Sequence, residues 1–159
     1  MKLYDFTSAP WGSLPKREYR RRCLIEPYRQ LFGEVPSDRQ YWTMCGTHVR
    51  AGRPLPFCEL DQLERSGFVA RSQFVGVDKS EAVIAANRAV WPDVDWRCGL
   101  MEREVYRDQA FRPAIIHLDT THTPAHAARL ASQVCRRAQE ACLVVVNVVL
   151  LCLMWHAPF

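Results

Sequence analysis

FVGVDKSEAVIAAN, residues 74–87, passes from a short apolar run into an aspartate and then at once into a capped amphipathic helix. Phe74, Val75 and Val77 form a continuous, largely β-branched run, the pattern of a central parallel strand covered on both faces. Gly76 weakens an isolated strand, so its presence implies that another backbone or a ligand approaches closely there. After Asp78, Ser80 is a good N-cap and Glu81 suits the positive end of the helix dipole. Val83, Ile84, Asn87, Val90 and Trp91 recur at helical spacing until Pro92 stops the helix. The unit therefore sets Asp78 at the carboxyl end of a buried strand, the place where open α/β sheets grip the ribose of a nucleotide-like ligand.

The same alternation continues on both sides of this unit. A first strand is expected over Gln40 to Cys45, then a long loop, Gly46 to Phe57, and a short helix from Cys58 to Ser66. That helix has Glu59 and Asp61 in its first turn, Leu60 and Leu63 facing inward and Gly67 at its stop. Val94, Trp96 and Cys98 alternate as a third strand nearer an edge, with Asp95 and Arg97 pointing the other way. Met101 to Asp108 reads as a weak helix or a loop. AIIHLD, residues 114–119, is a fourth strand that again ends in aspartate. Thr123 caps and Pro124 starts a helix running to Glu140, with Ala127, Leu130, Ala131, Val134 and Ala138 on one side. A fifth strand covers Cys142 to about Leu150. Right-handed crossovers then give a Rossmann-like three-layer αβα fold, with a mostly parallel sheet of about five strands and helices on both faces.

A chain of 159 residues buries enough surface for one core without metals or cross-links. Seven cysteines is an odd number, and most lie in apolar segments. The opening MKLYDFTSAPWG has no apolar leader core, so reduced thiols and a cytoplasmic location are expected. The apolar run Ala141 to Trp155 is shorter than the ~20 residues a spanning helix needs and is interrupted by Asn147, so it reads as a buried strand and no membrane association is expected.

Residues 1–39 stand apart as a basic helical extension, ahead of a domain over 40–159. The first forty residues carry eight Lys or Arg against five Asp or Glu, a net +3 of the chain's +4. Lys16, Arg17, Arg20, Arg21 and Arg22 offer a surface for nucleic-acid phosphates. The blander reading is a solvated helix face, because Glu18 and Glu26 interrupt the charge. Leu24, Ile25, Tyr28, Leu31 and Phe32 supply a stripe for docking on the sheet, and Pro27 predicts a kink or break.

From Gln40 onward the order of elements, and VGVDKSEAVIAAN in particular, resembles the class I S-adenosylmethionine-dependent methyltransferases over about two-thirds of the chain. The resemblance implies a methyl transfer from S-adenosylmethionine to an unidentified substrate. It implies Asp78 as the ribose ligand, Lys79 and Ser80 beside the adenosine, and Cys45, Gly46 and Thr47 in place of the family's glycine-rich turn. Three departures accompany it. Only Gly46 and Gly52 fall in the loop, Cys98, Gly99 and Leu100 replace the acid that often faces adenine, and Asp119 to Pro124 replaces the amine-methylating signature. The first two motivate a second reading, a catalytically inactive binding or inhibitor protein acting on a protein or nucleic-acid-processing partner.

HLDTTHTPAH, residues 117–126, carries its own chemistry. Asp119 and His122 lie at the carboxyl end of a strand, where a carboxylate and an imidazole can act as base and orienter. His122 and His126 are four apart and with Asp119 would make three metal ligands, but Thr123 and Pro124 place His122 before the helix, and no metal is expected. His117 is expected inside the strand as a satisfied core histidine. Cys45 is weighed as a nucleophile near a helix N-terminus, while Cys98, Cys135, Cys142 and Cys152 read as small core residues. Trp42, Trp91 and Trp96 are expected to pack in the core.

Overall fold

The structure is a computed structural model and describes residues 14–45, 49–50, 53–54, 58–120 and 123–148. Strand β1 is Gln40–Met44; β2 (Val49–Arg50) and β3 (Arg53–Pro54) pair as a small antiparallel hairpin in the following loop; β4 is Phe74–Asp78, β5 Asp95–Cys98, β6 Pro113–Thr120 and β7 Leu143–Val148. The helices are α1 (Leu14–Arg20), α2 (Glu26–Phe32), α3 (Cys58–Arg65), α4 (Glu81–Val90), α5 (Met101–Arg107) and α6 (Pro124–Arg137). Five strands form one sheet in the order β5-β4-β1-β6-β7, every neighbouring pair parallel. Chain order reverses between β1 and β6, so the crevice for ligands in such a sheet lies outside their carboxyl ends.

Alternation along the strands sorts the core into two layers. Tyr41, Cys45, Phe74, Trp96 and Ile115 meet Leu24, Ile25 and Tyr28 of the amino-terminal helices, Leu60 and Leu63 of α3, and Ile84 of α4. Trp42, Val75, Val77, Ile116 and Leu118 meet Met101 and Val105 of α5 and Leu130 and Val134 of α6. The sequence therefore produces the three-layer Rossmann-like fold that its periodicity predicts. No helix among the described residues is long and apolar enough to cross a membrane.

Gly76 owes its place to a side chain rather than to a ligand or another backbone. It stands beside Trp96 in the register, and a Cβ there would lie closer to Cζ3 and Cε3 of that indole than non-bonded carbons approach, and 3.3 Å from Cys45 Sγ. The indole is fixed in turn, because Nε1 donates to the Trp91 carbonyl at 2.7 Å.

Several expectations are corrected. Leu31 and Phe32 do not dock on the sheet: they are 66% and 42% exposed, because the helix has turned its sheet-facing side to Leu24, Ile25 and Tyr28. Cys98 and Cys135 are exposed and Cys142 only partly buried; Cys98 ends an edge strand and Cys135 lies on α6 beyond its apolar stripe. Of the kink or break expected at Pro27, the break does not occur. Arg21–Ile25 widens into a π turn in which the Glu26 N–H reaches the Arg21 carbonyl, and the chain stays helical across the proline. The helix after Thr123 ends at Arg137, three residues short of Glu140.

At the amino ends of the central strands, buried Arg39 donates to the Pro113 carbonyl, to the Ala141 carbonyl at 2.9 Å, to the Arg112 carbonyl at 3.3 Å and to Glu140 Oε2 at 2.8 Å. One guanidinium thus ties β1 to the starts of β6 and β7. Arg39→Met keeps the stem but strips these donors, and a loss of about 2–3 kcal/mol is expected in urea unfolding. A loss under about 0.5 kcal/mol would show that water replaces the guanidinium without penalty.

Candidate functional site

The parallel register carries one row of side chains across the carboxyl edge of the sheet. Asp78 pairs with Cys98, and Asp119 pairs with Asn147. Cys45 follows the Met44–Val77 pair and donates its N–H to the Val77 carbonyl at 3.0 Å, which brings it level with Asp78. The row therefore reads Cys98, Asp78, Cys45, Asp119, Asn147, with every side chain on the face covered by α3, α4 and the amino-terminal helices. Three of the residues picked out from the sequence, Cys45, Asp78 and Asp119, are thus brought together. Gly46 and His122 lie outside the described residues.

Asp78 is half-buried, and its Oδ1 accepts the Ser80 N–H at 2.8 Å. Ser80 in turn caps α4 by accepting the Val83 N–H, so the turn is rigid at the point where the carboxylate emerges. Burial raises the Asp78 pKa, opposed by the Ser80 N–H and the Lys79 charge. Lys79 is exposed, and its carbonyl lies 3.7 Å from the Cys98 thiol. The Gly99 N–H donates to the Asp78 carbonyl at 2.9 Å, which holds the turn after β5 against the end of β4. In that turn Leu100 is 40% exposed, an apolar surface next to the end of β4.

Cys45 is buried. Burial first, and the neighbouring Asp78 charge next, push its thiol well above the ordinary range, so it is a packed thiol rather than a ready nucleophile.

Beneath this row lies a buried polar network whose centre is Glu59, 4% exposed in the first turn of α3. Its Oε1 accepts from Tyr41 Oη at 2.6 Å, Thr43 Oγ1 at 3.2 Å and His117 Nδ1 at 3.0 Å. Its Oε2 lies 3.4 Å from Arg20 Nε. His117, 2% exposed, has its other ring nitrogen 3.0 Å from Asn147 Nδ2, and Asn147 Oδ1 accepts from the Tyr19 hydroxyl. Burial alone would raise the Glu59 pKa, but His117, Arg20 and the Tyr41 hydrogen bond hold it down at about 2. For His117, burial works downward and is outweighed by Glu59 and Asp119, so its pKa stands above the ordinary value. The network joins β1, β6, β7, α3 and α1.

Sequence reading missed Glu59, Tyr19, Tyr41, Thr43 and Asn147 as members of one network. A signal was present: Thr43, His117 and Asn147 each interrupt an otherwise apolar strand on the same face. The basic surface is also rearranged. Arg20 is buried against Glu59, while Arg21 and Arg22 are exposed but paired with Glu18, and Arg21 also with Glu26. Arg17 remains exposed, and the side chain of Lys16 lies outside the described residues. Among the described residues no group of three or more His, Cys, Asp or Glu is arranged to hold a metal ion. No protein-family model matches the chain, and a search of curated proteins finds no match.

Proposed function

We propose that the chain binds S-adenosylmethionine at the carboxyl edge of its sheet and acts as a methyltransferase. The observation that carries this reading is Asp78. It is a half-buried carboxylate at the end of β4, one strand from the point where chain order reverses, with one oxygen fixed by Ser80 and the other accepting no hydrogen bond from a described residue. That arrangement suits a ribose diol, which needs an oriented acceptor at the rim of an apolar crevice. Exposed Leu100 offers adenine an apolar neighbour on the adjacent strand. Bound there, the cofactor supplies an electrophilic methyl group, and Asp119 on the other side of Cys45 is the carboxylate available to a methyl acceptor.

Titration calorimetry with S-adenosylhomocysteine tests the reading. Wild-type protein is expected to bind it, and Asp78→Ala is expected to lose about 100-fold or more in affinity, since a charged acceptor for two hydroxyls is removed. The variant's melting temperature should stay close to wild type, because the Asp78 side chain accepts only the Ser80 N–H among described residues and the backbone bond to Gly99 survives the change. Well-folded wild-type protein that does not bind, or Asp78→Ala that binds equally well, would defeat the proposal.

The second reading, a binding or inhibitor protein that keeps the fold without the chemistry, is favoured by the exposure of Leu31 and Phe32 at the end of α2. Failure to bind adenosine-containing ligands would shift the balance towards it.

A further inference from the structure

Tyr19 lies on α1, far in sequence from the strand-end carboxylates, yet its ring is 6.4 Å from that of His117 and its hydroxyl donates to Asn147 Oδ1. The strand register sets Asn147 beside Asp119, so the phenol bonded to Asn147 and the carboxylate on the neighbouring strand lie close enough for the Asp119 charge to act on Tyr19. The direction of each hydrogen bond follows from its neighbour. A Glu59 carboxylate only accepts, so His117 Nδ1 donates to it; His117 Nε2 then accepts from Asn147 Nδ2; and Asn147 Oδ1 accepts the phenol proton. The Tyr19 proton is thereby committed inward and its oxygen is left as an acceptor. Burial first, with Cys23, Asp119 and Glu59, outweighs the opposing Asn147 contact and pushes the phenol pKa up to about 12, so it does not ionise near neutrality. Asp119 is partly buried and accepts no hydrogen bond from a described residue.

We propose that Tyr19 and Asp119 form an acceptor pair for the primary ammonium group of a ligand, with Asn147, His117 and Glu59 as positioning residues. Two acceptors grouped around Asn147, one of them a carboxylate, match a cationic group with several N–H donors and repel a carboxylate. The proposal deepens the methyltransferase reading by naming the acceptor class as an amine, and it rests on that reading only for what becomes of the amine once bound.

The relay adds a signature that a merely structural network lacks. When His117 takes a second proton, Nε2–H must donate to Asn147 Oδ1. The amide then turns, and its N–H donates to the Tyr19 oxygen, which occupies a lone pair that the amine would use. The imidazole is faced by Glu59 from α3, Tyr41 and Thr43 from β1, Asp119 from its own strand, Asn147 from β7, and Tyr19 and Arg20 from α1. Glu59 and Asp119 favour its protonation, so amine affinity is expected to fall as pH drops through a His117 pKa above the ordinary value.

The test is calorimetry of the full chain with benzylamine, benzyl alcohol and benzoate at pH 8.5 and 6. Saturable benzylamine binding is expected, stronger at the higher pH, with little benzoate binding. Asp119→Asn should weaken it by about tenfold or more and Tyr19→Phe by about fivefold, with both variants still melting cooperatively. His117→Gln should flatten the pH dependence; if that variant does not fold, Asn147→Asp supplies the same readout. No saturable benzylamine binding, equal affinity in Asp119→Asn and Tyr19→Phe, or benzoate binding as tight as benzylamine would overturn the proposal. Parallel titration with S-adenosylhomocysteine separates the two claims, since amine binding without cofactor binding sinks only the methyltransferase reading.

Discussion

Glu59→Ala is expected to destabilise the protein by about 3–5 kcal/mol, because it leaves the Arg20 guanidinium and the His117 imidazole buried without their shared carboxylate. Tyr41 and Thr43 lose their acceptor in the same step, and both are fully buried. A domain of this size has only about 5–15 kcal/mol in hand, so the variant should unfold at clearly lower urea and expose the amino-terminal helix to proteolysis first. The pH dependence has a definite sign. A carboxyl held at about 2 in the fold and near 4.5 when unfolded contributes stability that is present above 4.5 and lost as pH falls towards 2. His117 works the other way: its raised pKa contributes stability below the ordinary histidine value that is lost as pH rises through the folded-state value. Glu59→Ala should therefore flatten both limbs of the stability profile. A change under about 1 kcal/mol, with the acid limb intact, would show that the network adds nothing to the fold.

Gly76→Val is the second large effect, about 3 kcal/mol or more of destabilisation, and its direction runs against intrinsic propensity. Valine is a better strand residue than glycine, so propensity alone predicts a gain. The space at Gly76 is filled by the six-membered ring of Trp96, which is buried and tied to the Trp91 carbonyl. New methyl groups force that indole off its rotamer or the strands apart. A double-mutant cycle with Trp96→Leu identifies the cause, since valine should be far better tolerated once the indole is gone. Equal cost of Gly76→Val in both backgrounds would rule out the collision.

The order of the main strands and helices was legible because β1, β4 and β6 carry runs of buried apolar residues, β5 alternates, and α4 and α6 carry their own caps. Ser80, Gly67, Pro92 and the Thr123–Pro124 pair mark the ends of elements by local chemistry, and local chemistry is what a sequence displays. Asp78 and Asp119 were legible for the same reason, as carboxylates that end apolar runs. Their assembly with Cys45 and Asn147 into one row was not, since that depends on register between strands up to about a hundred residues apart. Glu59 fitted a surface role at a helix start equally well; only the packing of α3 on Tyr41, Thr43 and His117 turns it inward. The exposure of Leu31 and Phe32 likewise depends on how the amino-terminal helix is wound, which its apolar content does not reveal.

That winding has a consequence of its own. The π turn at Arg21–Ile25 makes room for one residue more than regular α-helical winding would hold, and each residue corresponds to about 100° of rotation around the axis. The turn thus acts as a phase shifter between two rigid half-helices. It lets Tyr28 face the core while Tyr19 and Arg20, more than two turns earlier, address Asn147 and Glu59. The rotational phase between Tyr28 and the Tyr19–Arg20 pair is therefore set by the number of residues between the two halves. Within this stretch the exposed Arg21 and Arg22 should tolerate changes of side chain far better than the turn tolerates a change of length, while Leu24 and Ile25 are held by the core.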